Sequence, residues 1–185
     1  MPHRLTVVLR QLLAITFCTL AAAASVQAQD PAAAQAIAKA NTALAAVDWM
    51  VGQWEGDARV VSGPGQPIAV RQHEDVVRGA SGTVLIIRGT GRDPQTGTIN
   101  FEAAATLWLD ESGALAMRTH RDGRSVVPSV EMRGDSLVWG FPVPGGRVRY
   151  TIWRGASDTW EEIGEFLREG AAPMRIITMS LRRLP

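Results

Sequence analysis

The chain has a single cysteine, Cys18, and it sits inside an apolar leading segment. Beyond that segment there is no thiol for a disulfide, a nucleophile or a cysteine-based metal site. Lysine occurs once, at Lys39, and tyrosine once, at Tyr150. After His3 only His73 and His120 remain, which leaves little for histidine catalysis. No Gly-x-Ser-x-Gly elbow is present. The run Gly89-Thr90-Gly91 is followed by hairpin signals rather than a helix, so it is not a phosphate loop. The interior of the folded protein must be held by packing alone.

The leading segment has the form of a secretory signal. Met1 to Gln11 carries Arg4 and Arg10 and no acid, and Leu12 to Ala24 is apolar. Ser25-Val26-Gln27-Ala28 then offers Val26 and Ala28 at the positions a signal peptidase reads, with cleavage expected before Gln29. The apolar run is shorter than the roughly 20 residues of a membrane span. Cys18 follows Thr16-Phe17, which does not suit a lipoprotein signal. The expected division is a signal peptide over 1–28 and one domain over 29–185, periplasmic or secreted, with no stable membrane anchor after cleavage. Taking Arg4 and Arg10 from the 19 basic residues leaves 17 against 18 acids, a net charge of −1. Such a balance does not favour nucleic acid as a partner.

The mature part divides in two at Val47 to Gly56. Before it, Asp30 and Pro31 are suited to the N-cap and first turn of a helix over about 31–47. Ile37, Leu44 and Val47 form a narrow apolar stripe among alanines. After it, from Gln53 on, turn chemistry recurs at short intervals, from Ser62-Gly63-Pro64-Gly65 to Glu169-Gly170-Ala171-Ala172-Pro173. Asp122-Gly123 is a strong two-residue hairpin signal. Nine such turns separate ten candidate strands: 53–61, 67–78, 83–91, 98–109, 114–121, 124–132, 136–141, 147–154, 158–168 and 174–184. Evenly spaced strands without helical patterns between them read as all-β. Many strands carry polar residues on both faces, which suits a barrel with a partly polar interior better than a sandwich. The expected architecture is an antiparallel up-and-down barrel of about ten strands, with the N-terminal helix packed on it.

At this point the chain resembles the calycins, the group of lipocalin, fatty-acid-binding and nitrobindin-like barrels. The resemblance rests on Gly52-Gln53-Trp54 after a helix and on Leu181-Arg182-Arg183 in the last strand. It implies that Trp54 closes one end of the barrel and that an arginine of the last strand packs across its ring. Arg183 is the first choice, since it shares a face with Met179 and Leu181; Arg182 is the alternative. The step from Trp49 to Gly56 and the strand Thr159 to Phe166 are also similar to secreted bacterial calycin-like proteins of uncharacterised families. The chain departs from haem-binding nitrobindins, which need a histidine late in the chain; none follows His120. No cofactor is expected.

Candidate ligand-binding residues are Glu162, Arg118, Arg149, Tyr150 and Trp160. If Trp160 and Phe166 point inward, Glu162 is a carboxylate inside the barrel; the reversed strand puts Ile163 and Leu167 in and Glu162 out. Arg118, Arg149 and Arg88 sit mid-strand and could pair with it or clamp an anion. Trp108, Trp139, Trp153 and Trp160 could line a pocket or pack the core. His73-Glu74-Asp75 places His73 and Asp75 on one face and Glu74 on the other, and reads as a solvated outer surface rather than a metal site. No catalytic or metal-ligating set emerges.

The favoured function is an exported barrel holding a small apolar or amphipathic molecule, in a pocket open opposite Trp54. The alternatives are an acid–base enzyme of isomerase or lyase type on the same barrel, or a protein-interaction module without a ligand. An enzyme requires Glu162 to converge with an arginine, His73 or Tyr150. Protein recovered from its own export route is expected to begin at Gln29. An intact-mass measurement checks this, and a retained Met1 or a lipid adduct on Cys18 would refute it.

Overall fold

The computed structural model describes residues 30–61 and 66–185. The expected signal peptide over 1–28 and the expected turn at Ser62-Gly63-Pro64-Gly65 lie outside the described residues.

Asp30 caps the helix as its side chain allows, accepting a hydrogen bond from the Ala32 N–H at 3.0 Å. Helix α1 runs Pro31–Leu44 and tightens into 3-10 turns over Ala45–Met50. Ala40, Leu44, Val47 and Met50 are buried, so the apolar stripe continues through the tightened turns into the core. Eleven strands follow: β1 Gly52–Val60, β2 Ile68–Gly79, β3 Val84–Arg92, β4 Ile99–Leu109, β5 Leu115–Arg121, β6 Arg124–Val126, β7 Ser129–Arg133, β8 Ser136–Val143, β9 Gly146–Arg154, β10 Thr159–Leu167 and β11 Met174–Arg183.

All eleven belong to one antiparallel sheet, in the order β6-β5-β4-β3-β2-β1-β11-β10-β9-β8-β7. Every neighbour is the next strand in sequence except one pair. β1 lies beside β11, so the two ends of the meander are joined in the middle of the sheet. The sheet curls until β7 at one edge comes close to β5 near the other, without a ladder between them. The expected barrel and its N-terminal helix are therefore present, as a curled half-barrel with a seam.

The strand count exceeds the expected ten because the segment 124–132 is divided. Val127-Pro128 separates β6 from β7. Proline has no N–H to donate to a ladder, so it marks the place where pairing stops. On the other flank of β6, Asp122 and Gly123 both have positive φ, 51° and 71°. That is the backbone a two-residue hairpin needs, and it sets Arg121 opposite Arg124.

The closed end is built on Trp54, which is fully buried. Its indole N–H donates to the Met50 carbonyl at 2.8 Å, tying strand to helix end. Trp49 and Trp160 pack edge-on against it, with ring centroids 6.0 and 5.9 Å away. Of the two candidate arginines, Arg183 is the one over Trp54, its guanidinium carbon 4.1 Å from the ring centroid. Arg183 also donates to the Trp49 carbonyl at 2.6 Å and to the Val51 carbonyl. Those carbonyls end the 3-10 turns and would otherwise lack partners. Gly52 has φ +128°, and a Cβ there would sit 2.4 Å from the same guanidinium. Gly52 is thus required twice, for its backbone and for the room it leaves.

Trp54→Ala is expected to cost about 3–5 kcal/mol in urea unfolding, the range for deleting a large core side chain. Arg183→Ala is expected to cost less, on the order of 1–2 kcal/mol. Equal stability of Trp54→Ala and the parent would refute the assignment.

Candidate functional site

Strand alternation leaves the inner face of the half-barrel to one parity of each strand. On β10 that face carries Trp160, Glu162, Gly164 and Phe166, so the first of the two readings of this strand holds. On β9 it carries Val148, Tyr150 and Ile152, and on β2 Val70, Gln72, Glu74 and Val76. These faces enclose a cavity of about 580 Å³. Met50 and Trp160 line it on the side of the closed end. Its walls are mostly apolar and aromatic, among them Ile87, Phe101, Met117, Trp139, Phe141 and Ile152. Arg121, Asp122 and Arg124 of the β5–β6 hairpin are exposed and form its rim. Gly113, just before β5, lies against Lys39 of α1, and β5 finishes at this rim, so the mouth lies away from the helix.

Two carboxylates face this cavity. Glu74 is 8% exposed. It accepts a hydrogen bond from the Gln72 amide at 2.8 Å. Glu162 keeps some accessible surface because it borders the cavity, yet protein surrounds it. Neither forms an ion pair among the described residues. Burial pushes the Glu74 carboxyl up to about 7, and the Gln72 donor offsets this in part. Burial, then the charge of Glu74, pushes Glu162 up to about 8. The Trp160 indole N–H lies close enough to Glu162 to favour its anion slightly, but completes no hydrogen bond. Trp139 likewise has a buried, unpartnered indole N–H.

Tyr150 completes the group. Its ring stacks on Trp139 with centroids 4.2 Å apart and planes 19° from parallel. Burial raises its phenol to about 12, with Glu162 adding to the rise and Arg121 opposing it.

Glycines carve the space. Glu74 pairs across the ladder with Gly89, and a Cβ there would lie 2.7 Å from its Oε1. A Cβ at Gly91 would lie 3.0 Å from the Gln72 Oε1. Gly164 stands opposite Tyr150, and a Cβ there would lie 2.8 Å from the ring. The Gly89-Thr90-Gly91 run is therefore a recess in the barrel wall for two polar side chains.

Of the residues named from sequence, Glu162, Tyr150 and Trp160 come together on the cavity. Arg118 and Arg149 do not, which corrects the expectation that they meet Glu162. Arg118 is exposed on the outer face and reaches only Ser125, at 3.5 Å. Arg149 has the outward parity on β9 and pairs with Glu165 at 2.7 Å. Arg88 is likewise outside, paired with Asp75. Long charged side chains take the outer phase because water solvates them there. Trp108 and Trp153 also have the outer parity, leaving Trp139 and Trp160 as the tryptophans of the cavity. His73 faces out from β2, so it does not converge with Glu162. Glu74 is the residue that sequence reasoning passed over. Its signal is the run Val70-Arg71-Gln72-His73-Glu74-Asp75-Val76, in which Gln72 and Glu74 have the same parity as two valines.

No family model and no curated protein matches this chain. Solved structures do resemble it. Rv2717c from M. tuberculosis superposes with a TM-score of 0.58 at 13% identity, covering 77% of this chain and 98% of that one. The S-type phycobiliprotein lyase CPES from Guillardia theta gives a TM-score of 0.50 at 12% identity, covering 72% of this chain and 87% of that one. At such identities the likeness is one of fold, and the fold is a calycin-like barrel.

Both carboxyls hold protons more tightly in the folded state than in the unfolded chain, where their value is 4.5. Their contribution to stability is therefore full below about 4.5 and is lost as pH rises through about 7 to 8. The melting temperature of the empty protein is expected to fall across this window, on the order of 5 °C. The double variant Glu74→Gln/Glu162→Gln should remove that fall. An unchanged pH profile in the double variant would refute the assignment.

Proposed function

We propose that this protein is an exported carrier that holds a small, largely apolar molecule inside its barrel. The observation that carries this reading is the cavity of about 580 Å³, walled by aromatic and aliphatic side chains and entered at the β5–β6 hairpin. Such a volume falls within the range of small-molecule pockets, which combine apolar walls with a few placed polar groups. Trp160 and Tyr150 supply contact area, and Glu162 supplies orientation. The signal-like segment before Gln29 supports a periplasmic or secreted location. The solved structures of similar fold include a phycobiliprotein lyase, which supports the use of this architecture for small molecules without naming the molecule here.

A second reading is favoured by one specific observation. Glu162, held near 8, lies close enough to Tyr150 for its charge to raise the phenol. A carboxyl that is poised near neutrality beside a phenol can exchange a proton with a bound molecule. That is the minimum for an isomerase or lyase acting by acid–base chemistry.

The neutral fluorophore N-phenyl-1-naphthylamine tests the carrier reading. The parent protein is expected to enhance its emission with micromolar affinity. Ala103→Trp, which fills the cavity from β4, should abolish the enhancement while the protein still melts cooperatively. Enhancement that survives Ala103→Trp, or none in the parent, would overturn it.

A further inference from the structure

Two carboxylates in one apolar cavity, with no cation among the described residues to pair them, make an unusual interior. A buried carboxylate without a counter-charge is costly, and relaxes by keeping its proton. Replacing both by glutamine or an aliphatic residue would remove that cost, yet the fold makes room for at least one of them. Gly89 clears the wall for Glu74, and a Cβ there would close to 2.7 Å. The arginines that could have neutralised them, Arg88 and Arg149, are instead engaged outside with Asp75 and Glu165.

A second feature points the same way. Trp160 is 2% exposed and lines the cavity, yet its indole N–H has no partner. It lies beside Glu162, whose carboxyl is a stronger acceptor as an anion than as an acid. An orphaned buried donor is costly as well. An ionised Glu162 would accept from that N–H more strongly than the acid does, and a buried anion there needs a positive charge in the cavity to offset its cost.

The walls suit that charge. Trp160, Trp139 and Tyr150 present ring surfaces to the cavity, and aromatic faces attract organic cations strongly where water is excluded. Every charged or titratable group bordering the space can be placed. Glu74 comes from β2, Glu162 from β10 and Tyr150 from β9. Arg121, Asp122 and Arg124 stand at the exposed rim. Strands β3, β4, β8 and β11 contribute no ionisable side chain to it. Arg121 is paired with Asp122 at 3.0 Å, which offsets its charge at the mouth.

We infer that the cavity is built for a hydrophobic organic amine, bound as the ammonium ion with its N–H groups on Glu74 and Glu162 and its apolar body against Trp139 and Tyr150. This rests on the carrier reading and names the ligand class for the same site. On binding, Glu162 gives its carboxyl proton to the buffer and its oxygen accepts the Trp160 N–H. The ammonium arrives already protonated, so the complex gains no net charge from the exchange.

Calorimetry with three matched probes tests this: 4-phenylbutylamine, 4-phenylbutanol and 4-phenylbutyrate. Titrations near pH 7.5, in two buffers of different ionisation enthalpy, also count the protons exchanged. The amine is expected to bind at least about tenfold more tightly than the alcohol, with the acid weakest. Amine binding should release on the order of half to one proton. Glu162→Gln should remove most of the release and much of the preference, while the variant still melts cooperatively. Glu74→Gln should reduce the preference in the same direction. If the alcohol or the acid binds as well as the amine, the cation inference fails and the carrier reading stands. If none of the three binds, both fail.

Discussion

The barrel depends on the contact between Trp54 and Arg183. β1 and β11 are the first and last strands of the meander, and their pairing joins its two ends in the middle of the sheet. Trp54 and Arg183 are direct partners in that ladder. The guanidinium covers the ring, and its remaining donors hold the last carbonyls of the 3-10 turns. One arginine thus fastens strand to strand and helix to barrel. Met50, placed by that junction, becomes part of the cavity lining. Trp160, packed edge-on against Trp49 and Trp54, is fixed with its N–H beside Glu162.

The opposite side of the molecule follows a different rule. Where the closed end is filled by interlocking tryptophans, the middle of the barrel is kept open. Glycines at 89, 91 and 164 remove side chains where Glu74, Gln72 and Tyr150 need room. Buried carboxyls without counter-ions oppose stability at neutral pH. Their presence therefore calls for a reason outside folding, and a charged ligand supplies one. The closed end is where stability resides, and the cavity is where some of it is given up.

Much of this was legible in the residues. Asp30-Pro31 marks the helix start, Asp122-Gly123 the hairpin, and Gly-x-Trp with a late arginine the barrel closure. The first two are local chemistry, a cap and a positive-φ turn; the third is what the resemblance to calycins implies. The split of β6 from β7 at Val127-Pro128 was also present locally, in a proline that ends a ladder, but the run of apolar residues around it read as one strand. The site was legible only in part. Parity within β10 linked Glu162 to Trp160 without saying which side was inside. Glu74 sat in an acid–histidine run that reads as surface, although its parity matched Val70 and Val76. Arg118 and Arg149 were misplaced because mid-strand position says nothing about phase.

By itself the sequence determined the class of fold, the position of the helix and most turns. Those depend on short-range chemistry and on a two-residue period, which a chain carries wherever it lies. Only the tertiary structure decided which parity of each strand faces inward. That choice comes from register between strands far apart in sequence and from the curl of the sheet as a whole. It brought Glu74 and Glu162 into one cavity, sent the arginines out to water, and left an indole N–H waiting beside a carboxyl.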